Sequence, residues 1–336
     1  MKAVKVLTVL LLLTATAVSC SNGPVEYRKT KPLMDTIVTI TVVSESDRKA
    51  DEAIESAFSV ISRFSDKIDF FKHTSELSAV NRNAGIAAVT VSPETLGVIE
   101  RALYIAKISG GAFDPTIGPE IRMWDFAKKV RPSDEEIRKN LPLVNYRDIV
   151  VDRSRSTVFL RKRGMLMDLG GIAKGYAADL ALADLKKEGI AAGIVAAAGD
   201  IRAFGLKPGG EAWRVGIMNP RQKSKADELI ATARLSNKAV STSGDYERYF
   251  IENGRRYHHI LDPKTGYPAA GCRSVTVISD DGIFADGFTT AVFVLGPEKG
   301  MRLVRDCGAD ALIIDRDGGV HTTPGLKKMV AFENGH

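Results

Sequence analysis

Directly behind Lys2 and Lys5 at the extreme N-terminus the chain runs uncharged and mostly apolar from Val6 to Val18. A helix that crosses a bilayer needs roughly 20 apolar residues, and this run falls short. A basic start, an apolar stretch and small residues after it make an export signal instead. The small residues read Ala17-Val18-Ser19-Cys20, which looks like a lipobox, where cleavage leaves Cys20 as a lipid-modified N-terminus. The plainer alternative is a signal peptide with a cysteine near its end. The small residue before Cys20 and the polar Ser21-Asn22-Gly23-Pro24 after it favour lipidation. Acyl chains contribute about 0.8 kcal/mol per buried methylene, so more than one chain gives stable anchoring. Everything downstream is then expected to fold in water, exported and held to a bacterial membrane, facing the periplasm or the cell exterior.

Assigning residues 1–19 to the signal leaves 317 residues and lowers the formal net charge from +6 to +4. That length exceeds one small domain, and 26% charged with 44% hydrophobic residues fits a globular body. So small a surplus of charge gives no basis for a nucleic-acid partner. Of the three cysteines, Cys272 and Cys307 remain as ordinary thiols. They could pair in an oxidising compartment or stay buried and free.

Residues 20–31 read as a tether, and the body is expected to run from 32 to 334. Thr36 to Val43 alternates Thr with Ile and Val, as a half-buried strand does. Ala50, Ala53, Ile54, Ala57, Phe58, Ile61 and Phe64 recur at helical spacing. Ser92-Pro93-Glu94 opens a second helix that stops at Gly110-Gly111, and Ser133-Asp134-Glu135-Glu136 opens a third before Pro142. Further strands are expected at Ile149 to Asp152, Thr157 to Leu160, Ile194 to Ala197, Trp213 to Met218, Tyr257 to Leu261, Ser274 to Ile278 and Ala311 to Ile314. Further helices are expected from about Gly175 to Lys187, Ala285 to Leu295 and Glu298 to Cys307. The elements mix without a βαβ rhythm. The expected fold is therefore α+β, with mixed, largely antiparallel sheets and packed helices, in one unit with scope for two interleaved lobes.

Three segments carry chemistry. Asp168-Leu169-Gly170-Gly171-Ile172-Ala173-Lys174-Gly175 places two glycines before a helix N-terminus, which suits close approach to an anion, with Lys174 adding charge. It is neither a Walker A loop nor GxGxxG, and a plain strand-to-helix turn would also require glycine. Asp286 and Thr290 are four apart and share one helix face, where a carboxylate and a hydroxyl suit a hard cation such as Mg²⁺. A helix cap and a back-bonded threonine would explain them equally. His258-His259-Ile260-Leu261-Asp262-Pro263 puts His259 at a strand end before a turn, where it is either a base near neutral pH or an ordinary surface histidine. No zinc-type Cys/His spacing surrounds it, and no Gly-x-Ser-x-Gly elbow exists. Asp114 in Ala112-Phe113-Asp114-Pro115-Thr116 and the run Ser241-Thr242-Ser243-Gly244-Asp245-Tyr246 place more polar groups beside glycines.

Taken in this order, the segments resemble the ApbE-type flavin transferases, from about Met34 to Phe332. The resemblance implies an ApbE-like fold. It also implies an enzyme that joins the FMN half of FAD to a Thr or Ser hydroxyl of another protein and releases AMP. It implies Mg²⁺ held by the Gly171 carbonyl, Asp286 and Thr290, with FAD contacted by Met34, Phe71, Ala112, Phe113, Asp114, Asp168, Lys174 and the backbone near Leu261. It places His259 as the base for the acceptor hydroxyl. The acceptors it suggests are exported subunits of membrane redox complexes, such as the sodium-translocating NADH:quinone oxidoreductase (Nqr) or Rnf type.

This chain departs from the family pattern in three places. Met34-Asp35-Thr36 stands where Met-Gly-Thr is usual, Phe71 where Tyr is frequent, and Ala198-Gly199-Asp200 where Gly-Gly-Asp is common. Two other activities share the same residues: hydrolysis of FAD to FMN and AMP, and flavin binding without catalysis. Metal-type ligands together with a base favour the two enzymes.

Overall fold

Eight strands form one central sheet in the computed structural model, which describes residues 23–221 and 228–333. They stand in chain order from edge to edge: Val25–Leu33, Thr36–Ser44, Ala192–Ala197, Asp200–Phe204, Ala239–Gly244, Cys272–Ser279, Asp310–Asp315 and Val320–Thr322. Every pairing in it is antiparallel. The α+β expectation holds. The signal run and Cys20 lie outside the described residues.

Both faces of this sheet are covered. Val277, Ala311 and Ile313 point to the helices Asp47–Ile68, Pro93–Ile108, Ala173–Lys187 and Gly282–Asp306. Their neighbours Ile278, Leu312 and Ile314 point the other way, onto a three-stranded sheet of Trp213–Met218, Leu229–Leu235 and Val330–Phe332. Two-sided burial is why these strands read as continuous apolar runs rather than alternations. A smaller cluster of Trp124, Ile137, Phe250, Tyr257 and Leu261 lies apart from both cores.

Local chemistry sets the helix ends. Ser46 accepts the Lys49 N–H at 3.3 Å, Pro93 occupies the first turn of its helix, and Ser133 with Glu136 closes a full capping box. The stripe from Ala50 to Phe64 is buried as its spacing requires. The two helices expected at Ala285–Leu295 and Glu298–Cys307 form one element, Gly282–Asp306, broken at Gly296 (φ 77°, ψ 177°) before Pro297.

The tether is shorter than its composition suggests. Residues Val25–Leu33 pair with Thr36–Ser44 as an edge strand. Its half-buried positions are filled partly by Lys29 and Lys31, which bind Asp51 and Glu55 on the first helix while Lys31 lies over Phe58. Lysine stems do the covering that apolar residues usually do, so the alternation is invisible in hydropathy. Met34 and Asp35, at φ 55° and 54°, make the two-residue turn into the next strand. Such a turn favours glycine, and aspartate is among the few residues that tolerate it. The strand expected at Tyr257–Leu261 is Arg255–His258, which ends one residue before His259. Cys272 and Cys307 are free thiols.

Two helices fix each other's N-termini. Asp179, on Ala173–Lys187, accepts the N–H groups of Gly282 (2.9 Å) and Ile283 (2.8 Å) at the start of the long helix. Asp286, on the long helix, accepts the Gly175 N–H at 2.9 Å in the first turn of the other. Neither helix has a side-chain cap of its own, so each carboxylate satisfies orphan donors across the contact. Gly175 makes the approach possible: a Cβ there would lie 2.1 Å from the Gly282 carbonyl oxygen and 2.7 Å from Asp286 Cβ. Gly175→Ala should therefore destabilise the protein by about 1–3 kcal/mol, the usual range for overpacking. Chemical denaturation of the variant, with an unchanged midpoint, would contradict this packing.

Candidate active site

The glycine turn, the long helix and the segment after Arg255–His258 converge on a cleft of about 340 Å³. Phe71, Ala112, Phe113, Asp114, Asp168, Gly171, Lys174, His259, Leu261, Asp286 and Thr290 all line it. Its lining combines aromatic and aliphatic side chains, among them Phe113, Trp124, Phe126 and Ile117, with the ionic side chains of Lys174, Asp200, Glu247, Arg248 and Asp286. A more open groove of about 600 Å³ near Pro24, Lys49 and Leu206 has Glu45 as its sole acid and no histidine. The chemistry belongs to the smaller cleft.

Within the ionic group, Asp286 and Asp200 are both buried. Burial, then the charge of Asp200, pushes the Asp286 carboxyl up to about 7. Lys174 bonds to Asp200, which also accepts the Ser241 hydroxyl. Although burial works against its charge, Asp200 and Asp286 hold Lys174 above its usual range. Asp200 is thus the bonded partner of the Lys174 ammonium, with Asp286 acting on it through charge alone.

Thr290 is half-buried in the cleft, and its hydroxyl bonds to no described residue. The back-bonding threonine is its neighbour Thr289, which donates to the Asp286 carbonyl at 2.7 Å. A Cβ on Gly171 would meet Thr290 Oγ1 at 3.1 Å, so this main chain and that hydroxyl face each other closely. Among the described residues, no three His, Cys, Asp or Glu side chains converge as a metal-binding group. A cation here would draw on carbonyl, hydroxyl and carboxylate oxygens, the donor set of a small hard ion. Gly171, Thr290 and Asp286 fit that requirement.

The two adjacent histidines divide. His258 is buried, with Nε2 2.9 Å from the Ala269 carbonyl and its ring edge-on to Phe293, and serves the core. His259 faces the cleft, and its Nδ1 is buried with no hydrogen-bond partner among the described residues. Burial, then the Arg248 charge, lowers its pKa to about 3, so the imidazole is neutral at rest.

The other expected residues take distinct places. Asp168 accepts the Gly170 N–H at 2.9 Å, which shapes the glycine turn. Asp114 lines the cleft, but its oxygens already accept the Thr116 N–H and hydroxyl and the Tyr146 N–H. It braces a loop. Phe71 is 76% exposed and stands edge-to-face with Phe70 at the cleft mouth. Met34 is not brought to the lining: it sits in the hairpin turn, packed on the main core.

Sequence reasoning missed Asp200, Glu247, Arg248 and Trp124, all of which line the cleft. Glu247 and Arg248 directly follow the Ser241–Tyr246 run, which was the available signal. Asp200 stood in the sequence only as the end of the Ala198-Gly199-Asp200 triplet, and its role was hidden because its partners are 26 and 41 residues away.

The ApbE family model matches residues 34–313. A FAD:protein FMN transferase of Treponema pallidum is 34% identical over 325 residues, covering 91% of this chain and 89% of its own. The crystal structure of the ApbE protein of Thermotoga maritima has a TM-score of 0.83 at 36% identity, covering 90% of this chain and 99% of that one. The flavin transferase ApbE of Vibrio cholerae has a TM-score of 0.80 at 27% identity, with coverage of 91% and 99%. A cleft built from these segments in this order, on this sheet, belongs with those relatives: the chain is a member of the ApbE family.

Proposed function

We propose that this protein is a FAD:protein FMN transferase, which moves the FMN half of FAD to a Thr or Ser hydroxyl of an acceptor protein and releases AMP. The observation that carries the reading is one cleft lined by both aromatic and ionic side chains, with a neutral His259 in its wall. A flavin needs a flat apolar wall, and its diphosphate needs cations and close backbone approach. Phe71, Ala112, Phe113 and Leu261 would serve the rings, and Lys174 with the Asp168–Gly171 turn would serve the phosphates. The transferase names of the relatives support the same activity.

The acceptor hydroxyl oxygen attacks the FMN-side phosphorus, a new P–O bond forms, and the bond to the bridging oxygen breaks as AMP departs. The hydroxyl proton goes to His259. Gly171, Asp286 and Thr290 would hold Mg²⁺, which when bound offsets charge on the phosphoryl oxygens. Lys174 is fixed by Asp200 and orients positive charge without a search through rotamers. Hydrolysis would use water in place of the hydroxyl.

The test mixes mature protein, FAD, Mg²⁺ and an exported redox subunit of the Nqr or Rnf type as acceptor. A fluorescent, covalently flavinylated acceptor band and AMP in equal amounts are expected. AMP without labelling would convert the reading to a FAD hydrolase, and intact FAD would remove both. In the same assay Asp286→Asn, which keeps the side-chain shape, should lose at least about 100-fold in turnover. His259→Ala should lose about 100-fold in transfer. Turnover within threefold of wild type in either variant would strike that residue from the mechanism.

Export and anchoring through Cys20 complete the proposal, supported by the Lys2–Cys20 pattern. Cys20→Ser should shift the protein from the membrane to the soluble fraction. Retention of that variant on the membrane, with an unmodified N-terminal peptide by mass spectrometry, would refute lipidation.

A further inference from the structure

Glu120 is fully buried, and neither of its carboxyl oxygens has a hydrogen-bond partner among the described residues. It sits in the short helix Gly118–Ile121, whose neighbours in sequence Ile117, Ile121 and Trp124 line the cleft. The turn that follows His259 rests directly on it. A Cβ at Gly266 would lie 2.8 Å from Glu120 Oε2 and 2.7 Å from Ile137 Cγ2. Gly266 also has φ +71°, and its carbonyl accepts the Trp124 indole N–H at 3.3 Å. Asp262 accepts the N–H groups of Thr265 and Gly266 through its main chain, and a bridge between Leu261 and Pro268 ties the turn to the segment that bears His259.

We propose that Glu120 is a positioning residue, which seats the Asp262–Gly266 turn, and His259 with it, only while its carboxyl is protonated. This rests on the transferase reading for its functional consequence, though not for its structural one. An unpaired carboxylate in this cluster would be a bare buried charge, which is strongly unfavourable. The charged groups on the surrounding elements are committed elsewhere. On the turn, Asp262 caps its own backbone at Lys264, whose side chain is exposed. On Asp134–Asn140, Asp134 takes the Tyr267 hydroxyl, and Glu135 and Arg138 are exposed. Arg122, after the short helix, is exposed too, and the Leu141–Leu143 turn carries no charge. Burial alone therefore acts on Glu120, and it raises the carboxyl to about 7.

The direction of the effect follows. The folded state keeps the proton that the unfolded chain loses at about 4.5, so Glu120 lowers stability progressively as pH rises from about 4.5 to 7. Above about 7 the folded protein also ionises, stability loses no more, and the turn is released.

The experiment compares mature wild type, Glu120→Gln and Glu120→Ala. Without FAD, the Tm advantage of Glu120→Gln over wild type should widen from pH 4.5 to 7 and then stay constant. The His259 imidazole proton resonance, identified by its loss in His259→Ala, should move between pH 6 and 8.5 in wild type and stay fixed in Glu120→Gln. In the flavinylation assay, wild-type kcat should fall at least threefold relative to Glu120→Gln over the same range. Glu120→Ala should be slow throughout, with Gln restoring the rate. Parallel Tm curves, or a His259 signal that moves equally in wild type and Glu120→Gln, would overturn the proposal. If the two structural readouts behave as expected and no variant makes AMP, the transferase reading fails while the positioning role stands.

Discussion

The crossed pair of carboxylates at the start of two helices is the constraint on which the rest of the site depends. Asp179 takes the first N–H groups of Gly282–Asp306, and Asp286 takes an N–H from the first turn of Ala173–Lys187. Each helix N-terminus carries partial positive charge and unsatisfied donors, so each attracts an anion. Here each anion belongs to the other helix. The arrangement locks register and separation at once, and it works only because Gly175 and Gly282 let the backbones meet. Arg202 bonds Asp179 at 3.0 Å and ties the pair to the central sheet.

From that lock comes the electrostatics of the cleft. Asp286 is placed beside Asp200, on a strand that never contacts it through the chain's local geometry, and both are buried. Lys174 lies one residue before Gly175, so the same turn that receives Asp286 delivers the ammonium to Asp200. The result is a fixed, dehydrated group of two acids and one base. Such a group is costly to bury, and under the proposed function a cation held beside Asp286 would offset part of that cost. Thr290, left free because Thr289 makes the back-bond, adds a neutral oxygen without adding charge.

The elements that were legible in the sequence are those whose partners are their own near neighbours. The Asp47–Ile68 helix shows its buried stripe at a spacing of three and four, and Ser133 with Glu136 shows its cap within four residues. The central strands were visible as apolar runs because both faces are covered. The first strand was not, because Lys29 and Lys31 occupy its inner positions and their charges are answered by Asp51 and Glu55, more than twenty residues on. Of the site, the glycine turn, Asp286, Thr290 and His259 could be named from sequence, largely through the order of their motifs. Which of His258 and His259 faces the cleft is decided by a single step at the end of a strand, where alternate side chains go to opposite sides. The triplet that ends in Asp200 does not show its role, which is set by residues far along the chain, and Glu120 carries no local signature because it has no hydrogen-bond partner among the described residues.

The choice between transfer and hydrolysis lies in the part of the molecule least tied to the central sheet. Under the proposed function Asp286, Thr290, Lys174 and the glycine turn would serve the phosphates in either reaction, and they are held by the two locked helices. What separates the outcomes is whether the acceptor side near His259 excludes water while it admits a protein hydroxyl. That side is built from the small cluster of Trp124, Ile137, Phe250, Tyr257 and Leu261, which has its own packing apart from the two main cores. Trp124 stacks on Phe126 with planes 3° apart and donates to Gly266, so the aromatic wall is bonded to the turn after His259. Local stability varies across a fold, and a cluster packed apart from the main cores can open separately from them. Water exclusion at the reacting phosphorus therefore depends on how firmly this wall is seated, while phosphate binding depends on the helix lock, and the two can vary independently in the same protein.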